Sequence, residues 1–182
     1  MLFVLSGSSG SGKGTIINEV IRVRPEINLM KTCTTRPKRN AADVNYIFLS
    51  RQDFEKKIKK EEFFEYEEVH KGNLYGILKE SLEKVEKGGL YIKDIDVRGV
   101  QKLKQRLKDN IRLIYLDVPK KELRKRIIAR GETEKSADLR LSIYDFEKSF
   151  MKDYDLVVKN KNLDRSVKII LDYIEKVEKG KC

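Results

Sequence analysis

A glycine-rich loop, Gly7-Ser8-Ser9-Gly10-Ser11-Gly12-Lys13-Gly14-Thr15, lies between the apolar run Leu2-Phe3-Val4-Leu5 and the helical-period run Ile16, Ile17, Val20. This placement constrains the fold more than any other feature, because strand, tight glycine loop and helix in immediate succession form a phosphate cradle. The glycines let the backbone curl with its N–H groups pointing inward, and the following helix adds its positive N-terminal end. Lys13 is then placed to reach the β- and γ-phosphates of a nucleoside triphosphate. A serine/glycine linker has no reason to join a buried strand to an amphipathic helix. The loop therefore reads as a P-loop, with Ser8, Ser9, Gly10, Ser11, Gly12, Lys13, Gly14 and Thr15 as its nucleotide-binding residues.

One position narrows the kind of nucleotide enzyme. The usual P-loop carries Ser or Thr directly after its lysine, where the hydroxyl holds Mg²⁺. Here that position is Gly14, and the hydroxyl follows at Thr15. A switch GTPase or a motor ATPase would lose a metal ligand by this change. A small kinase whose Mg²⁺ is held through waters and substrate phosphates tolerates it.

At 182 residues the chain fits one domain with a real core. No run approaches the roughly eighteen apolar residues of a membrane span, and no basic segment precedes Leu2, so neither a span nor a secretory signal is expected. Cys33 and Cys182 are the only cysteines, which favours a reducing, cytoplasmic setting. The balance of 40 Lys+Arg against 29 Asp+Glu gives a net charge of +11. Runs such as Lys56-Lys57-Ile58-Lys59-Lys60-Glu61-Glu62 mix both signs, as solvated helix faces do, and a phosphate-rich substrate also rewards a positive cleft. These readings are favoured over nucleic-acid binding.

Strand-like and helix-like segments alternate along the chain. The strand 2–6 and a helix ending before Pro25 are followed by a second apolar strand near Leu29–Cys33. The segment to about Gly76 differs, with short strands at Tyr46–Leu49 and Phe63–Val69 around one helix opened by a Ser50/Asp53 capping box. The alternation then resumes: a helix with Leu78, Leu82 and Val85 on one face, strand Leu90–Lys93, a helix near Val97–Leu107 and strand Ile111–Asp117. A helix from Pro119 to Arg130, a charged stretch (132–138) leading to another helix, strand Leu156–Val158 and a helix around Leu163–Val177 complete the chain. This predicts an α/β fold whose parallel sheet is covered on both faces, with its ligand crevice at the strands' carboxyl ends.

Three further segments carry chemistry. Thr32-Cys33-Thr34-Thr35-Arg36-Pro37-Lys38-Arg39, continuing to Tyr46, sets two arginines beside hydroxyls; it suits a phosphate monoester and equally a solvated basic turn. The second is Glu65–Gly76, rich in carboxylates and tyrosines. The third, Ile92-Lys93-Asp94-Ile95-Asp96-Val97-Arg98-Gly99, puts two carboxylates at a strand's carboxyl end, where an Asp can meet Mg²⁺ in a P-loop enzyme. His70 is the only histidine and makes no metal site alone; Cys33 is expected to be packed rather than reactive.

With these segments in this order, the chain resembles guanylate kinase over essentially its whole length. The matching motifs are Gly7–Thr15, Thr34-Thr35-Arg36-Pro37, Gly72-Asn73-Leu74-Tyr75-Gly76, Asp94-Ile95-Asp96-Val97-Arg98-Gly99, Arg126–Gly131 and Asn160-Lys161-Asn162-Leu163-Asp164. The resemblance implies a three-layer P-loop kinase fold: a core (1–31, 88–126 and 146–182), an inserted α+β GMP-binding region (32–87) and a mobile lid (127–145). It implies transfer of a phosphoryl group from ATP to GMP, and to dGMP, with Mg²⁺; the sequence leaves monomer and homodimer both open.

Carried over by residue, the resemblance assigns Arg36 and Arg39, with the hydroxyls of Tyr46 and Tyr75, to the GMP phosphate. Glu65 would accept from guanine N1–H and the 2-amino group, with Thr32 and Asp96 as further guanine contacts. Adenine offers no such donor pair, so a buried carboxylate opposite it would be left unsatisfied. Asp94 would organise Mg²⁺ and its waters; Lys13, Arg126, Arg130 and Arg140 would surround the transferring phosphoryl group, and Asn160 would lie near the adenine. Tyr46 and Tyr75 read equally as packed aromatics, and Arg126 as a helix-surface charge. Two departures stand out. Ile77 occupies a position where the family has a guanine-contacting Ser or Thr, and the loop Asn40–Asn45 is shorter than the family's and lacks its Gly-Glu and Gly.

A kinase of phosphorylated sugars would keep the P-loop but lack Glu65, Tyr75 and the Asp94/Asp96 pair. An interaction-only guanylate-kinase-like module would lose the P-loop lysine; Lys13, Arg126 and Arg140 are all present.

Overall fold

The structure, a computed structural model, describes residues 1–38, 45–69 and 72–180. The alternation read in the sequence organises it around two sheets. Strand β1 (Leu2–Ser6) runs through the middle of a five-stranded sheet. Its other members are β2 (Asn28–Leu29), β7 (Tyr91–Asp94), β8 (Ile111–Asp117) and β9 (Leu156–Lys159), in the order β2-β7-β1-β8-β9. Every pairing in it is parallel. Leu5 lies opposite Asp94 and Ser6 opposite Tyr115, so the carboxyl ends of the central strands share one edge.

Both faces of β1 are buried, which is why it is apolar at every position rather than at alternate ones. Phe3 and Leu5 pack with Ile16, Ile17 and Val20 of helix α1 (Lys13–Val23) and with Ile170 and Ile174 of helix α8 (Leu163–Glu178). On the other face Leu2 and Val4 meet Leu82 and Val85 of α3 (Lys79–Glu86) and Val100, Leu103 and Leu107 of α4 (Val100–Leu107). At about 1.5–3 kcal/mol per buried aliphatic or aromatic side chain, these two clusters hold the helix–sheet–helix layers together.

The second sheet has the order β4-β3-β6-β5 and is mostly antiparallel: β3 (Thr32–Thr34), β4 (Tyr46–Phe48), β5 (Phe63–Val69) and β6 (Asn73–Leu78). Helix α2 (Arg51–Lys59) packs Phe54 against Phe63, with ring centroids 4.3 Å apart. Its start is the expected one, since Ser50 Oγ accepts from the Asp53 backbone N–H at 3.0 Å. Cys33 is fully buried beside Phe54, Phe63 and Leu74, and burial pushes its thiol up to about 11, so it is packed as anticipated.

Three elements differ from the sequence expectation. The strand placed at Leu29–Cys33 is two strands in two sheets, because the chain leaves the parallel sheet after Leu29 and enters the other at Thr32. Residues Asn73–Gly76 of the motif Gly72–Gly76 belong to strand β6, which bridges β3 and β5. Gly76 is needed there for space: a Cβ at that position would stand 2.7 Å from the Phe63 ring. Third, the charged stretch 132–138 is largely helix α6 (Glu134–Arg140). Thr133 caps it, Ala137 is buried against Leu123, Ile127 and Leu141, and Arg124 of α5 (Lys120–Ile128) binds Asp138 at 2.9 Å. Helix α7 (Tyr144–Ser149) follows. No helix among the described residues is long and apolar enough to cross a membrane.

Candidate active site

The loop after β1 closes into a cradle with its glycines in conformations that side chains resist. Gly7 has φ 141° and Gly12 φ 94°. A Cβ on Gly7 would meet the Leu116 carbonyl at 2.7 Å, and one on Gly12 the Asn160 Nδ2 at 2.9 Å. Asn160 holds the loop from behind. Its Nδ2 donates to the Ser11 carbonyl at 2.7 Å, and its Oδ1 accepts from Ser166 Oγ at 2.9 Å. The buried Asn160 side chain thus supports the cradle's underside.

In front of the loop lies a cavity of about 490 Å³ lined by residues 9–15 together with Asp94 and Arg130. Lys13 Nζ donates to the Gly7 carbonyl at 2.5 Å and the Ser8 carbonyl at 3.3 Å. Packing pushes the Lys13 pKa down, and the nearby Asp94, Glu147 and Asp96 carboxylates act in the opposite sense. Arg140 reaches the same place from α6, donating to Ser9 Oγ at 3.3 Å while paired to Glu132 at 2.7 Å. Arg126 is one step removed: it binds the Asn160 carbonyl at 3.1 Å and Glu122 at 3.1 Å.

A second cavity, of about 360 Å³, opens between the two sheets. Thr32, Glu65, Tyr75 and Asp96 all line it, as does Ile77. The register shift between Phe63 and Glu65 is a bulge in β5, a device that re-aims the side chains after it. Glu65 accepts an ion pair from Lys102 at 3.4 Å. Asp96 Oδ1 accepts from the Arg98 and Gly99 backbone N–H groups at 2.8 and 3.1 Å, which delays the start of α4 to Val100. Ile77 is also part of the apolar cluster with Met30 and Leu82, so the residue without a hydroxyl serves the core as well as the cavity wall.

Arg36 and Tyr46 stand beside this cavity. The Arg36 guanidinium lies 5.2 Å from the Tyr46 ring centroid and 5.4 Å from that of Phe48, and the Tyr46 ring meets Tyr75 edge-on at 6.1 Å. Arg39, His70 and most of the loop Asn40–Asn45 lie outside the described residues.

Asp94 lines both cavities. Burial pushes its pKa up, but Lys93, 2.9 Å away, and Lys13 more than offset this, so its carboxyl lies below the usual range and is ionised at neutral pH. The donor side suits a nucleotide with Mg²⁺. Ser11 Oγ is buried without a hydrogen-bond partner among the described residues. Among the described residues no three His, Cys, Asp or Glu side chains are grouped so as to hold a metal ion by themselves. A single carboxylate is enough for an ion that keeps its waters and binds phosphate oxygens.

Sequence reasoning passed over two buried charges here. Lys93 is 3% exposed and lines the second cavity; its signal was a lysine inside the apolar run Leu90–Ile95. Glu147 of α7 is 9% exposed, with Oε2 unpartnered among the described residues. Burial raises its pKa, and the nearby Ser8 hydroxyl and Lys13 only partly offset this. A carboxyl whose folded pKa lies above its unfolded value contributes stability below the unfolded pKa, about 4.3, and loses it as pH rises through the folded one. Glu147→Gln is therefore expected to raise the melting temperature by a few degrees at pH 7–8, with no gain near pH 4. Thermal melts across that range test it; an unchanged difference at all pH values would contradict the assignment.

A glycine cradle at the end of a central parallel strand, a lysine and arginines converging on it, and a second polar cavity sharing one carboxylate with it define a P-loop nucleotide kinase. The guanylate kinase family model matches residues 1–177. A guanylate kinase of Thermotoga maritima is 37% identical over 179 residues, 95% of this chain and 85% of that protein. One of Prochlorococcus marinus is 36% identical over 96% of both chains. The crystal structure of guanylate kinase from Anaplasma phagocytophilum superposes with a TM-score of 0.72 at 27% identity, covering 96% of this chain and 84% of that one. The chain belongs to the guanylate kinase family.

Proposed function

We propose that the protein transfers the γ-phosphoryl group of ATP to GMP or dGMP, giving ADP and GDP or dGDP. The observation that carries this reading is Asp94, which lines the P-loop cavity and the second cavity together, so donor and acceptor meet at one carboxylate. The division into a core (1–31, 88–126, 146–182), an acceptor region (32–87) and a lid (127–145) belongs to the same proposal.

In this reading the cradle Ser8–Thr15 binds the donor phosphates with its N–H groups, and Lys13 leaves its loop carbonyls to take the γ-phosphoryl charge. Arg130 and Arg140 approach from the lid and Arg126 from the end of α5. Asp94 would hold Mg²⁺ through water, and the bound ion would supply charge neutralisation to the phosphates. On the acceptor side Arg36, Arg39, Tyr46 and Tyr75 take the GMP phosphate, while Glu65, Thr32 and Asp96 read the guanine. No general base is needed, because the attacking phosphate oxygen is already ionised; catalysis is positioning and charge stabilisation of an in-line transfer. Lid closure excludes water and so protects ATP from hydrolysis.

A coupled assay with ATP, Mg²⁺ and each of GMP, AMP, CMP and UMP tests the assignment. GMP is expected to exceed the other three by at least about a hundredfold in kcat/KM, since no other base offers the adjacent N1–H and 2-amino donors that satisfy both carboxylate oxygens. Comparable rates with all four, or none with any, would refute it.

A further inference from the structure

Lys93 is the least expected charge in the molecule. Strand β7 sends Ile92 into the core on the α1/α8 face and Lys93 to the opposite face, where Leu2, Val4 and Ile77 make an apolar wall. A buried ammonium there is costly, and a methionine or leucine would satisfy the packing at no such cost. Its Nζ is nonetheless aimed at polar company. It lies 2.9 Å from Asp94 Oδ1 and 5.1 Å from the centroid of Tyr46, and the side chain lines the acceptor cavity. The same Tyr46 ring carries Arg36 at 5.2 Å and abuts Tyr75 at 6.1 Å. Lys93 thus clusters with Arg36, Tyr46 and Tyr75, next to Asp94, the carboxylate that lines both cavities.

We propose that Lys93 is a binding residue for the acceptor's phosphate group, and that it leaves Asp94 to make that contact. This rests on the reading of the second cavity as a nucleoside-monophosphate site. An ammonium has three donors, and a single hydrogen bond to Asp94 leaves two to offer. A phosphate dianion arriving between Lys93 and Arg36 carries more charge than the Asp94 carboxylate and outcompetes it at equal distance. The released carboxylate remains at the boundary of the two cavities, where Lys13 lies. Acceptor binding thereby frees Asp94 for the donor side, and the position is held by lysine because it must change partners.

Calorimetric titration of the purified protein with GMP and with guanosine separates this role from a structural one. The wild-type protein is expected to bind GMP more tightly than guanosine. Lys93→Met removes the charge at similar length; it should weaken GMP about tenfold to a hundredfold, the range for a hydrogen bond to a charged group, and leave guanosine within about twofold. Lys93→Arg should retain most of the GMP preference. If Lys93→Met does not fold in a thermal melt, Lys93→Gln carries the same comparison. An equal loss for both ligands would show a merely structural lysine and overturn the proposal, as would unchanged GMP binding. A wild-type protein that binds no GMP would overturn the underlying reading of the cavity instead.

Discussion

Lys13→Met is expected to lower kcat by about three orders of magnitude while leaving the fold intact, the scale seen when one preorganised cation or donor is removed from a phosphoryl or acyl transition state. The ammonium opens α1 and is held against the Gly7 and Ser8 carbonyls, so it already stands inside the cradle. Its pKa is pushed down by desolvation, which means that the protein carries this charge at a cost. Methionine removes the cost and keeps the volume, so the melting temperature should hold or rise. The loss should fall on kcat more than on the KM for ATP, because the loop's N–H groups still bind the ground-state phosphates and only the developing charge loses its partner. Steady-state kinetics with varied ATP, together with a thermal melt, checks both halves. A higher KM for ATP with unchanged kcat would mean that Lys13 binds donor and transition state equally and has no special part in the transfer.

The P-loop was legible because its chemistry is local: the glycines, the lysine and the flanking strand and helix lie within about twenty consecutive residues. Long-range placement was not. Asn160 shows this: only the fold places its side chain beneath Ser11, 149 residues away. Strand β6 was not assigned from the sequence: its Gly76 lacks a strand former's side chain because it must admit the Phe63 ring. Glu65 was singled out from the sequence and lines the second cavity, but the bulge that precedes it arises from pairing with β6 and has no signature of its own. Ile77 shows the reverse effect. It stood out as a missing hydroxyl, and its packing with Met30 and Leu82 supplies the physical reason for an apolar residue.

Glu65→Gln is expected to lower kcat/KM for GMP by about two to three orders of magnitude, with the KM for ATP and the melting temperature unchanged. A carboxylate accepts from both guanine N1–H and the 2-amino group; an amide can offer its oxygen to one and must set its own N–H groups against the other. The loss combines charged hydrogen bonds, about 1.5–3 kcal/mol each, with a donor left facing a donor. Glu65 lines the acceptor cavity and makes no contact with the P-loop cavity among the described residues, so the ATP side should not register the change. Its salt bridge to the exposed Lys102 contributes little to stability, as exposed pairs generally do. Inosine monophosphate makes the test sharper. It keeps N1–H but lacks the 2-amino group, so it should lose less than GMP, and the preference for GMP over it should narrow. AMP presents an acceptor at N1 and should gain slightly or stay unchanged. An equal fall for all three nucleotides would show that Glu65 shapes the cavity without reading the base, and a collapse of ATP affinity would remove it from the acceptor site.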